Sequence, residues 1–267
     1  MSDWILIAVF AYLLFAINGV IDKILLTKAV RSPLVYAFFN GTLAPFVLVL
    51  VPFGIHWIGL GYLLLALLSG ACFTIALYFY YTSIQKISIS RALPIQGGFV
   101  PLFTLILAAV IIKESLSAIH LLAFIFLTGG AALISFKKSK VNWGIPGLGY
   151  SMIAAVLFAL HFVLAKFIYD HSNFVTGLFW TRWGMFLVAI LILIPKKNRI
   201  EVFEARSQTT TNQKVMFYSS RAAGGIAGLL QNLAISIGSV TIVNALSPTQ
   251  KLLAIALVIV GLILLSY

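Results

Sequence analysis

Five polar side chains lie inside long apolar stretches of this sequence: Asn18, Tyr78, Gln96, His161 and Asn232. Amide and hydroxyl groups can donate and accept hydrogen bonds, and an imidazole can also carry a proton. A polar group in a stretch of this kind turns away from hydrocarbon and towards other protein groups. We therefore expect these side chains to face inwards, where they could bind a small polar molecule.

A structural interpretation competes with the binding one at several of these positions. A polar side chain in a membrane helix can make only an interhelical hydrogen bond, worth about 1 kcal/mol. We favour that interpretation for Asn18 and leave both open for His161. Tyr78, Tyr80 and Tyr81 could form an aromatic wall for a solute. They could also belong to the interfacial aromatic belt, which is the favoured interpretation for Tyr81.

Proline and glycine interrupt two apolar stretches at positions that correspond in the two halves of the chain. Pro94, Gly97 and Gly98 lie in the first stretch, and Pro248 lies in the second. Proline removes a backbone hydrogen bond, and glycine lets another group approach closely. In transporters with inverted repeats, broken helices meet at the substrate site near the middle of the membrane. Simple kinking is the alternative, and neither interpretation is preferred.

Charged residues inside the apolar stretches need a partner or water. Arg182 could attract an anionic substrate group, but pairing or snorkelling near the helix end is the favoured interpretation. Arg221 is expected to snorkel. Because Asp22, Asp170 and Glu114 fall at predicted span ends, the sequence predicts no carboxylate in mid-span, which argues against proton coupling through an acid.

Composition fixes the class of protein that must position these residues. Of 267 residues, 62% are apolar and 9% are charged, which is too apolar for a soluble domain. A membrane-spanning helix needs about 20 apolar residues. The sequence predicts an all-α membrane protein of about ten spans. Eight are clear, with an irregular stretch at 240–267 after them: 4–26, 34–55, 60–84, 92–112, 118–136, 144–169, 174–194 and 215–237.

The net charge of +12 does not indicate a nucleic-acid partner, because Lys and Arg lie almost entirely in short loops at span ends. Basic loops stay on the cytoplasmic side of a membrane. Here they follow the first, third, fifth and seventh spans, which predicts a multi-pass protein of the plasma membrane with its N-terminus outside. The one cysteine, Cys72, allows no internal disulfide.

The sequence also contains two related halves, 1–138 and 139–267. Residues 15–23 align with 158–166 at a shift of 143, and residues 92–93 align with 245–246 at a shift of 153. Each half holds five spans, and an odd number requires the second half to be inverted. Residues 122–136 align with 253–267 at a shift of 131. The second half therefore lacks about 22 residues between Gln250 and Lys251, which predicts a shortened ninth helix.

Two local patterns resemble the EamA-type members of the drug/metabolite transporter superfamily. Residues 109–117 end an apolar run with Glu114 before a small polar residue, and residues 180–184 set Arg182 among aromatic and small residues. The resemblance implies two inverted repeats of five spans and a structural role for Arg182 and Glu114. It also implies a carrier, often an exporter, of amino acids, metabolites or drugs.

The function classes that remain are both membrane proteins without catalytic activity. The sequence contains no nucleotide-binding, zinc-binding or Ser/His/Asp pattern, so we expect no enzyme, metal or cofactor. The expected partners are lipid and a small solute, and both a monomer and a homodimer are open. The first class is a secondary transporter. The second is a non-transporting membrane subunit, or a carrier inactivated by the missing 22 residues.

Overall fold

The computed structural model describes residues 3–28, 32–87, 89–135, 145–207 and 210–249. All regular elements in these ranges are helical, which confirms the predicted all-α class. In chain order they are α1 Asp3–Lys28, α2 Pro33–Thr42, a 3-10 segment Ala44–Phe53, α3 Leu60–Lys86, α4 Ile89–Ile111, α5 Ala118–Ser135, α6 Ile145–His171, α7 Phe174–Ile192, α8 Lys196–Ser207, α9 Thr211–Ile237 and α10 Val240–Ala245.

Several of these helices have the length and composition of membrane spans. Four are long and apolar enough to cross a membrane: Pro33–Phe53, Leu60–Lys86, Gly147–His171 and Phe174–Ile192. Three shorter apolar stretches accompany them: Asp3–Gly19, Ile95–Ile111 and Ala118–Gly129. α9 is 27 residues long but carries Arg221, Gln231 and Asn232, which lower its hydropathy. The count of ten spans stays a prediction.

The second predicted span is not one α-helix. Ser32 begins α2 by accepting a hydrogen bond from the backbone N–H of Val35 at 3.3 Å. α2 ends at Thr42 because Pro45 has no N–H to donate to the carbonyl of Gly41. The chain continues as the 3-10 segment.

The polar stretch after the seventh span was predicted to be a loop, and this is wrong. It forms α8, which packs against α2. Val202 is buried on α8, with Ala205 on the same side, so a short apolar stripe stabilises the helix.

Close helix contacts hold the bundle together. α3 lies along α6, and α1 lies along α9, while α7 packs on both α2 and α3. A Cβ placed on Gly70 of α3 would collide with the backbone of Thr181 and Met185 in α7, and one on Gly184 would collide with the backbone of Leu67. Small residues let helix backbones touch in this way.

The last described helix, α10, is six residues long. It ends at Ala245, and the chain then turns through residues 246–248. α10 packs against α4, α5 and α9. The predicted gap between Gln250 and Lys251 and the boundary between the halves at 138–139 lie outside the described residues.

Candidate functional site

One face of α9 carries polar contacts along most of the helix. Arg221, Gly224, Gly228 and Asn232 are spaced by three or four residues and so share this face, which we call the polar face of α9. Each of the four lies against a polar side chain of another helix. Arg221 pairs with Asp22 and Gly224 lies beside Asn18, both of α1. Gly228 lies beside Arg182 of α7, and Asn232 bonds to Tyr169 of α6.

At one end of the polar face, Asp22 and Arg221 form a buried ion pair. Their exposed fractions are 7% and 4%. Ser220 donates its hydroxyl hydrogen bond within this group, with Oγ 2.5 Å from Asn18 Oδ1 and 2.7 Å from Asp22 Oδ1. Arg221 Nη1 donates to the Tyr81 hydroxyl at 3.0 Å. These five residues form the ion-pair cluster.

The ion-pair cluster corrects three expectations from the sequence. Arg221 does not snorkel, Tyr81 does not belong to an interfacial belt, and Asp22 is a buried acid inside a helix. The reason lies in the helix bounds: α1 continues to Lys28, and α9 already begins at Thr211. Both charges therefore lie within helices and are buried against neighbouring helices, and each neutralises the other.

The aromatic rings around this cluster come from two helices. The Arg221 guanidinium lies 5.3 Å from the centre of the Tyr36 ring and 5.6 Å from that of Phe217. Both distances allow cation–π attraction. The ion pair is thus enclosed by α1, α2, α3 and α9, which it ties together.

His161 lies in the interior of the bundle and joins α6 to α3. Its Nδ1 is 3.0 Å from both the hydroxyl and the carbonyl oxygen of Ser69. The rings of Phe73 and Phe162 flank it at 4.8 and 4.9 Å between centres. The side chain is 2% exposed, as expected for a polar group that avoids lipid.

Asn232 occupies the other end of the polar face. Its Oδ1 accepts a hydrogen bond from the Tyr169 hydroxyl at 2.9 Å, and its Nδ2 donates to the Gly228 carbonyl at 2.8 Å. The neighbouring Gln231 points elsewhere on α9 and donates to the Tyr12 hydroxyl and to Asn244 Oδ1, both at 3.2 Å. Both amides are therefore turned inwards.

The two predicted helix breaks lie next to each other, but only the one at Pro248 falls outside a helix. α4 runs without interruption through Pro94, Gly97 and Gly98, so the predicted break there is wrong. Pro94 is the sixth residue of α4, so the helix continues although the Ser90 carbonyl lacks the backbone N–H that residue 94 would otherwise donate. Pro248 lies in the turn after α10, and a Cβ on Gly97 would lie 3.7 Å from its ring.

Gln96 sits one residue before this meeting point. Its Nε2 donates to the Ser151 carbonyl at 2.8 Å, which links α4 to α6. Its Oε1 is buried and has no partner among the described residues.

Tyr78 does not join the other candidates. Its side chain is 37% exposed and shares a face of α3 with the exposed Leu64, Leu68 and Ile75. That apolar face is the one that α3 would present to lipid. Tyr78 is therefore not buried in the bundle as expected, and its role in solute binding stays a prediction.

Glu114 ties the end of α4 to α10. It accepts a hydrogen bond from the Thr241 hydroxyl at 2.5 Å, and the preceding Lys113 has a positive φ of 55°. This hydrogen bond fixes the position of the short α10 against the end of α4.

An open cleft of about 270 Å³ lies at the far end of the bundle from the ion-pair cluster. It is formed by the loop before α3 and the connection between α6 and α7. Its lining is aromatic and polar: His56, Trp57, Ile58, Tyr62, His171, Ser172, Asn173 and Thr176.

The residues that sequence reasoning missed are the partners of those that it found. Asp22, Ser69, Tyr169 and Ser220 each complete a contact to a predicted site residue or to Arg221. One signal was present in the sequence: an acid close to the first apolar stretch and an arginine in the eighth are complementary charges.

Comparison with known proteins identifies the family. A profile described as the EamA-like transporter family matches residues 2–136, about half of the chain. A solved crystal structure superposes with a TM-score of 0.69 at 16% identity, covering 98% of this chain and 88% of that one. No curated protein matches the sequence. The chain belongs to the EamA-like transporter family and is a multi-pass membrane protein.

Proposed function

We propose that this protein is a secondary transporter, working as an exporter or facilitator, that moves a small metabolite, amino acid or drug-like solute across the plasma membrane. The observation that carries the proposal is the polar face of α9. Side chains from α1, α6 and α7 meet it at successive depths, in a bundle whose other surfaces are largely apolar. A solute that crosses the bundle would find hydrogen-bonding groups along this line.

Two related hydrogen bonds support the proposed inverted repeats, 1–138 and 139–267. His161 and Asn18 correspond at a shift of 143. Each is bonded to a serine, Ser69 or Ser220, and both serines are the tenth residue of a 27-residue helix. The same contact made twice, with the halves exchanged, is what an inverted repeat predicts.

The alternative of an inactivated carrier has less support. α10 is short, yet it is seated in the bundle: the Tyr12 hydroxyl donates to the Val243 carbonyl at 2.8 Å. Gln231 then bridges Tyr12 and Asn244. α10 is therefore packed into the bundle, which favours an active carrier over an inactivated one.

We expect transport to depend on His161 and not on Tyr78. His161→Ala removes a buried group that fixes α6 against α3, and we expect roughly a tenfold lower transport rate, as for the loss of one buried hydrogen bond. The assay is counterflow of radiolabelled amino acids and small organic acids in proteoliposomes. Tyr78→Ala is the matched control. Equal rates for both variants at matched reconstitution would remove His161 from the site, and no counterflow of any solute would contradict the transporter proposal.

The basic loops predict the orientation of the protein, which can be tested with single cysteines. Cys72 is buried, so it provides little background labelling. Asn212, at the start of α9, is exposed, and Trp57 in the loop before α3 is 66% exposed. In intact cells, a membrane-impermeant maleimide should label Trp57→Cys and leave Asn212→Cys unlabelled. The opposite pattern would reverse the proposed topology.

A further inference from the structure

Arg182 carries a charge at the middle of a membrane-spanning helix. It is the ninth of the 19 residues of α7. A guanidinium has five N–H donors. Among the described residues, its only hydrogen-bond contact is from Nη1 to the sulfur of Met185 at 3.8 Å, and a thioether is a weak acceptor.

No acidic side chain of this chain pairs with Arg182. The sequence holds six acids, and all of them lie in the described ranges. Asp22 pairs with Arg221, and Asp170 pairs with Lys166. The other four lie elsewhere, at the start of α1, at the end of α4 and on α8: Asp3, Glu114, Glu201 and Glu204. Arg221 differs from Arg182 in this respect, because its charge is neutralised by Asp22 in the same bundle.

The guanidinium lies inside the bundle, where α6, α7 and α9 meet. A Cβ on Gly228 would lie 3.7 Å from Nη2, so the side chain lies against the polar face of α9 at a point where glycine leaves space. One turn further along that face, Asn232 accepts a hydrogen bond from the Tyr169 hydroxyl at 2.9 Å. Arg182 is half-buried.

We propose that Arg182 binds the carboxylate group of the transported solute. This inference rests on the proposed function and names its substrate class. A guanidinium matches a carboxylate in a planar, bidentate arrangement, and a bound anion would neutralise a charge that is otherwise costly within a membrane. Tyr169 and Asn232, one turn further along the polar face, provide hydrogen-bonding groups for a second polar part of the solute.

The test compares acids with their neutral amides. Purified protein in lipid nanodiscs is titrated with matched pairs: benzoate with benzamide, lactate with lactamide, and N-acetylphenylalanine with N-acetylphenylalaninamide. Binding is followed by the shift in thermal unfolding. We expect at least one acid to bind at least tenfold more tightly than its amide. Arg182→Gln should abolish that preference, and Arg182→Lys should retain part of it.

Two controls separate binding from structure. Arg199→Gln removes a cation from exposed α8 and should bind as the wild type does. Arg182→Gln without ligand should unfold no earlier than the wild type, because it removes an uncompensated charge. A purely structural Arg182 would give the reverse: earlier unfolding, with the acid preference unchanged.

The outcomes distinguish this inference from the proposed function. Binding that does not distinguish acids from amides, or an Arg182→Gln variant that binds like the wild type, overturns the inference. Counterflow of an acid in Arg182→Gln vesicles at the wild-type rate leaves the transporter proposal standing and overturns the inference. Acid-selective binding lost in Arg182→Gln, with no counterflow in any vesicle, supports the inference and contradicts the transporter proposal.

Discussion

Replacing Asp22 with alanine should destabilise the protein by about 3–5 kcal/mol, the usual cost of breaking a buried ion pair. Arg221 would keep its charge at 4% exposure, with no acid to neutralise it. Ser220 would lose one of its two acceptors. Because the pair joins α1 to α9, we expect Asp22→Ala to unfold at a clearly lower temperature in detergent, as measured by the loss of the monodisperse peak after heating.

A second acid of the same chain is the matched control. Asp170 forms an ion pair with Lys166 at 2.9 Å, but its side chain is 43% exposed. Asp170→Ala should therefore cost less than about 1 kcal/mol. The double variant Asp22→Leu with Arg221→Met should regain most of the lost stability, because it replaces the pair with apolar groups. Equal unfolding temperatures for Asp22→Ala and Asp170→Ala would show that the buried pair does not stabilise the bundle.

A side chain at Gly70 should have an effect at least as large. A Cβ there would overlap the carbonyl oxygen of Thr181 and crowd the backbone nitrogen of Met185. Backbone atoms cannot rotate away as a side chain can, so α3 and α7 must separate. We expect Gly70→Val to cost more than about 3 kcal/mol and to leave little folded protein in size-exclusion chromatography.

Gly61→Val is the matched control for Gly70→Val. Gly61 lies on the same helix, and a Cβ there would meet nothing within 4 Å. Gly184→Val should behave like Gly70→Val, because its Cβ would meet the backbone of Leu67 from the opposite side of the same contact. A well-folded Gly70→Val variant would mean that α3 and α7 pack less closely than described.

The sequence predicts the fold class well because the physical signal is strong. An apolar run of about 20 residues has few alternatives to a helix when its surroundings are lipid. The same argument places Asn18, His161 and Asn232 in the interior, and all three are buried. For these three residues, the apolar composition of their own helix is enough to predict that the side chain is buried.

The partners within the site could not be predicted in the same way. Asp22 and Arg221 are 199 residues apart, and only the packing of α1 on α9 brings them together. Tyr78 shows that the side of a helix that faces the protein interior is also difficult to predict from sequence. α3 is apolar on nearly all sides, so its sequence contains no periodicity that separates the side facing lipid from the side facing protein.

The ion pair has no counterpart in the other half of the bundle. Under the proposed repeat, Asp22 corresponds to Ala165, and Arg221 corresponds to Gly70, since each is the eleventh residue of its helix. A carrier with chemically equal halves would open to either side of the membrane with equal ease. Here one opening would require the buried ion pair between α1 and α9 to separate, and the corresponding contact between α3 and α6 has Gly70 and Ala165 in place of that pair. We therefore expect the forms open to the two sides of the membrane to be unequally populated in the absence of solute.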